Sequence, residues 1–180
     1  MTQGADVRQV AEQAVAEWLE AAAASDGVRA DHGRRPGEHV VQLPGEHKLR
    51  TTVSLLLGDH SLSVSAFVVR HPDENEAGVH RWLLRRNARL RHVAFAVDGL
   101  GDVFLVGRVP LAGVTVAVLD DLMGEVLGVA DSAFDELLAL GFASSIRREH
   151  AWRTARGEST ANLDAFAHLL ATPRPPDPAE

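Results

Sequence analysis

The chain has 180 residues, 46% apolar and 24% charged, and its 18 Lys+Arg against 25 Asp+Glu give a net charge of −7. This is an ordinary globular composition, at a length that makes one domain the default. Without cysteine there are no disulfides, thiolate nucleophiles or Cys-built zinc sites, and no apolar run nears the roughly 20 residues of a membrane span.

The first 20 residues carry four acids, which argues against a signal peptide; a soluble, cytoplasmic protein is expected. Residues 5–24 predict one helix. Val7, Val10, Ala11, Ala14, Val15, Trp18, Leu19 and Ala22 recur at the spacing of a single apolar stripe, and Asp26-Gly27 ends it. The polar residues 25–38, with three Gly and one Pro, read as a solvated loop. Val40, Val41 and Leu43 predict a short strand closed by Pro44-Gly45. Residues 48–57 and 61–70 then alternate with period two around Gly58-Asp59, the pattern of a hairpin. Its core face would carry Leu49, Val53, Leu55, Leu57, Leu62, Val64 and Val68.

A helix is predicted to start at Pro72-Asp73, with Asp73 as N-cap and Glu76 completing a capping box. It runs through VHRWLLRRN to a left-handed stop at Asn87. Residues 91–98 and 102–109 predict a second hairpin around Asp98-Gly99-Leu100-Gly101. The remainder is helical: a stripe from Val118 to Leu127, a break near Gly128, a continuation ending at Gly141, and a short helix opening at Ser144 or Ser145. A last helix holds Leu163, Phe166, Leu169 and Leu170. Residues 172–180 are expected to be a disordered tail, leaving 1–171 as a single domain. Hairpins separated by helices imply an α+β fold, with an antiparallel-rich sheet and helices on at least one face.

Motifs for chemistry are sparse. There is no G-x-S-x-G elbow and no phosphate-binding G-x-x-x-x-G-K-[ST], and the only lysine is Lys48. Gly99-Leu100-Gly101-Asp102 precedes a strand and not a helix, so it reads as a turn and not a dinucleotide fingerprint. The nine His form no H-x-x-x-H or H-x-H pair. No catalytic residue, metal site or cofactor is expected, and the chain is not read as an enzyme.

Two features suggest binding instead. The segment His80–His92 holds Arg81, Arg85, Arg86, Arg89 and Arg91 without an acid, so it carries +5 while the rest of the chain sums to −12. Such a stripe suits phosphate contact, or a solvated helix face able to meet an acidic partner. The overall negative charge and the small aromatic complement (three Trp, six Phe, no Tyr) weigh against nucleic acid. The second feature is the other face of the sheet, where Leu56, Phe67, Val69, Phe104 and Val106 lie among Ser54, Ser63, Ser65 and Arg108. Either a second helix layer covers it, or it is a subunit or peptide interface.

At HPDEN followed by VHRWLLRRN, and then VAFAVDGLGDVFLVGRVPL, the sequence resembles the YbjN family. LPGEHKLRTTVSL, LDDLMGEVL and NLDAFAHLL extend the resemblance over most of residues 5–170. Its actinobacterial branch is described as type III secretion chaperone-like. The resemblance implies an α-β-β-β-α-β-β-α arrangement, to which this chain adds C-terminal helices. It also implies a sensory-transduction regulator without a known active site, while secretion chaperones are homodimers that hold extended segments of effectors. The expectation is a non-enzymatic protein-binding domain, chaperone-like or adaptor in role, homodimeric, with no membrane partner. Its candidate contacts are Leu56, Phe67, Val69, Phe104 and Val106, rimmed by Arg81, Arg85, Arg86 and Arg89. The alternative is a regulatory protein that touches nucleic acid through the arginines, with an uncharacterised enzyme ranked behind it.

Overall fold

The computed structural model describes residues 2–24 and 27–170. Asp26 and the expected tail from residue 172 lie outside them. Along the chain the elements are α1 (Thr2–Ala23), β1 (Arg29–His32), β2 (Glu38–Pro44), β3 (Arg50–Leu57), β4 (Ser61–Val69), α2 (Glu76–Asn87), β5 (Val93–Val97), β6 (Val103–Pro110), α3 (Val116–Gly141), α4 (Ala143–Arg156) and α5 (Ala167–Leu170). Short 3₁₀ turns occupy Leu111–Gly113 and Ala161–Phe166. The six strands form one antiparallel sheet in the order β1-β2-β3-β4-β6-β5. The α+β fold read from the sequence is the fold observed.

Alternation sets the core. Val53, Leu55, Leu62, Val64, Ala66, Val103 and Leu105 share one face and are buried beneath α1, α2 and α3. Fully burying each such branched side chain contributes about 1.5–3 kcal/mol. Thr115 caps α3, its Oγ1 accepting the Val118 N–H at 3.2 Å. The helix then runs unbroken through Gly128, contrary to the expected break. A helical glycine costs only about 0.5–1 kcal/mol relative to alanine. The buried stripe of Leu119, Leu122, Met123, Val126, Ala130, Ala133 and Leu137 outweighs that.

Four other local expectations are corrected. First, β1 lies inside the expected loop. It has no apolar alternation and is held by its backbone pairing with β2, from Arg29 opposite Gln42 to His32 opposite His39. Second, α2 opens at Glu76 behind a left-handed Asn75 (φ 53°) without a side-chain cap. Asp73 does not cap it. Its carboxylate takes Arg70 at 2.6 and 2.8 Å and the Ser145 hydroxyl at 2.6 Å, tying the start of α4 to the β4–α2 connection. Third, Asn87 is not left-handed; among the described residues Asn75 is the only non-glycine with positive φ. The Asn87 carboxamide instead meets the outer edge of β5, accepting from Phe95 N–H at 2.7 Å and donating to Phe95 C=O at 3.1 Å. Fourth, Leu49 precedes β3 and is 83% exposed, so it is not core.

Candidate protein-binding surface

Residues directly opposed across a ladder share a face. On the side away from α1, α2 and α3, one row runs Leu56, Ser63, Arg108 and the next Ser54, Ser65, Val106, Ala94. A third joins Phe67, Phe104 and Ala96. None of these side chains is buried; Phe67 is 39% and Val106 38% exposed. No described helix buries this face, and only its Phe67 end borders α3 and α4, across a cavity. The Phe67 and Phe104 rings meet edge to face, centroids 5.5 Å apart at 75°, a favourable quadrupole arrangement.

Val69 does not belong here. β4 carries one extra residue between Phe67, opposite Phe104, and Val69, opposite Val103. This β-bulge shifts the alternation by one, so Val69 joins Val103 on the covered face and is 5% exposed. Simple period-two counting places it on the wrong side.

The arginines form a separate surface. Arg81 and Arg85 ride on α2, which stops at Asn87, so Arg89 lies beyond the helix. Arg85, Arg86 and Arg89 instead line a cleft of about 170 Å³ with Trp82. The Arg86 guanidinium stands 5.8 Å over the Trp82 ring and donates to Ser132 Oγ at 3.2 Å. Among the described residues none of the five arginines in 80–92 has a carboxylate within 4.0 Å. Trp82 packs on Phe95, whose ladder partner Leu105 is fully buried, so α2 lies on the covered side of the sheet. The arginines therefore do not rim the Phe67–Phe104 face.

Sequence reasoning missed Lys48. Asp131 accepts the backbone N–H groups of His47 and Lys48 at 3.0 and 2.9 Å and so pins the β2–β3 connection to α3. The Lys48 ammonium then reaches the end of β4, donating to the carbonyls of Phe67 and Val68. It lies 5.3 Å from the centre of the Phe67 ring and 6.0 Å from that of Phe134. Burial pulls its pKa down to about 8. Its being the only lysine is the one sequence signal that could have marked it.

Comparison with known proteins places this geometry. The family described as "YbjN: Putative bacterial sensory transduction regulator" matches residues 15–139. An uncharacterized protein of Mycobacterium tuberculosis is 52% identical over 140 residues, covering 78% of this chain and 76% of that one. One from Mycobacterium leprae is 53% identical over 131 residues, covering 73% and 71%. Among solved structures, the ExsC–ExsE complex aligns with a TM-score of 0.50 at 21% identity, covering 70% of this chain and 92% of the matched chain. The mixed sheet-and-helix architecture resembles that of the matched chain in the ExsC–ExsE complex.

Proposed function

The chain belongs to the YbjN family, and from that premise we propose a non-enzymatic, cytoplasmic protein-binding domain, chaperone-like or adaptor in role, spanning residues 1–171. The observation that carries the proposal is the open sheet face. Phe67, Phe104, Val106 and Leu56 form an uncovered apolar patch among serine hydroxyls, the mixture found where a protein surface alternates between water and a partner. The likeness to the ExsC–ExsE complex, whose name is that of a protein–protein assembly, supports a protein partner. The partner is taken face-on, and the chain self-associates as a homodimer.

Light scattering on the purified chain tests self-association, with a mass about twice the 19.4 kDa monomer as the expected result. Phe104→Ser should abolish it or release a co-purifying partner while the far-ultraviolet circular dichroism is unchanged. A monomeric wild-type chain that captures the same proteins as the variant would refute the reading.

One observation favours a second reading, in which the chain regulates by touching nucleic acid: among the described residues the three arginines of the Trp82 cleft have no carboxylate within 4.0 Å, the nearby Glu136 being taken by the Trp82 N–H at 2.8 Å. Retention of duplex DNA at about 150 mM salt, where the Debye length is only about 8 Å, would move the binding surface to α2.

A further inference from the structure

We propose that the cavity beside Lys48 is a binding site for a small apolar monocarboxylate, its head on the Lys48 ammonium and its carbon chain against α3 and α4. Phe67 borders both this cavity and the open sheet face, but the site does not rest on the protein-binding reading. The cavity holds about 600 Å³, within the roughly 300–1,000 Å³ of small-molecule sites. Its apolar wall joins Phe67 and Val69 at the end of β4 to Phe134 and Leu138 of α3, Ile146 of α4, and Leu163. Ile146 and Leu163 follow residue 139, where the family match ends.

The polar groups on the wall define the head group. Arg70 is paired with Asp73 at 2.6 Å, and Glu149 with Arg153 at 2.6 Å. Lys48 differs: among the described residues no carboxylate lies within 4.0 Å of its ammonium. In a regular strand successive carbonyls point to opposite edges, so one ammonium cannot take two in a row. The bulge in β4 lets Lys48 do this with Phe67 and Val68, which leaves one of its three N–H donors unassigned. The cavity thus presents one half-buried positive charge without a counter-ion, a costly arrangement that a ligand carboxylate relieves. With Arg70 and Glu149 already paired, Lys48 is the one charge on the wall left for a ligand, which selects a monoanion over a phosphate.

The test uses the full chain labelled with ¹³Cε-lysine, which gives a single lysine signal because Lys48 is the only one. Octanoate, 1-octanol and octyl phosphate are titrated separately. Octanoate should move the Lys48 signal saturably and shift its titration midpoint upward from about 8 toward the ordinary value near 10.4. It should bind about tenfold tighter than octanol, the ratio one charge-assisted hydrogen bond supplies. Lys48→Met should erase that ratio, and Val106→Asp on the open sheet face should leave it intact. An unmoved Lys48 signal, equal binding of octanol, or tighter binding of octyl phosphate would each overturn the proposal. The wild-type titration decides even if Lys48→Met fails to fold.

Discussion

Gly141, the last residue of α3, packs its bare Cα against the ring of Pro72: a Cβ added there would lie 2.9 Å from Pro72 Cβ and 3.3 Å from Val79 Cγ2. Its carbonyl also accepts the N–H groups of Asp73 and Glu74 at 3.0 and 3.1 Å. The β4–α2 connection is thereby seated on the end of α3. Gly141→Ala should cost about 1–3 kcal/mol, because neither the proline ring nor the buried valine has room to move. Gly128, in the exposed middle of the same helix, has nothing within 4 Å of an added Cβ. Gly128→Ala should therefore stabilise by about 0.5–1 kcal/mol. Urea melts of the two variants should move in opposite directions.

Neighbouring residues in β6 separate surface from core. Phe104→Ser, and likewise Phe67→Ser, removes a ring that water already reaches and should cost about 1 kcal/mol. Leu105→Ala, one residue along and fully buried, should cost about 2–5 kcal/mol. Self-association should respond in the reverse order, since exposed aromatics anchor interfaces. A large stability loss in Phe104→Ser would mark that face as core.

Lys48 makes stability depend on alkaline pH. Its folded pKa of about 8 lies below the unfolded value near 10.4, so between them the unfolded chain binds more protons. Stability should accordingly rise as pH passes from about 8 to about 10 and be insensitive to this group below that window. Urea midpoints of the wild type and Lys48→Met across pH 7 to 10.5 should diverge only there; parallel curves would contradict the burial argument.

Glu38 acts at the acid end. Its carboxylate accepts from the Arg35 guanidinium at 2.8 Å, the Ser54 hydroxyl at 2.6 Å and Arg35 N–H at 3.1 Å, which hold its pKa near 2. The folded value lies below the unfolded one, so its stabilisation is present above about pH 4.3 and is lost as pH falls toward 2. Glu38→Gln should be less stable than wild type at pH 7, and the two melting temperatures should converge at pH 2.

The hairpins were legible because alternation over five to nine residues leaves a strand only one way to bury its apolar side. The long C-terminal stripe was legible for the same reason, and Leu119, Met123 and Leu137 fall where periodicity puts them. What escaped depends on partners distant in sequence. Asp73 looks like a cap from its neighbours alone, but Ser145, 72 residues on, helps decide its role. The strand character of Arg29–His32 resides in the β2 backbone, not in its own side chains. The bulge at Val68 is one residue that no pattern announces, yet it moves Val69 from the candidate interface to the core and gathers the two carbonyls that hold Lys48. The open face itself was anticipated as one of two alternatives; only the position of the helices could choose between them.

The Asn87 carboxamide on Phe95 has a consequence for molecules in a crowd. A bare edge strand offers its backbone to any passing strand and so invites fibrous growth. Here the slot at the middle of β5 is already filled by a side chain that imitates a peptide unit. The opposite margin is β1, four residues long, with Arg29, Asp31 and His32 exposed along it. Neither margin is a template for polymerisation. A sticky apolar sheet face can therefore remain open to solvent while copies that collide sideways find nothing to extend.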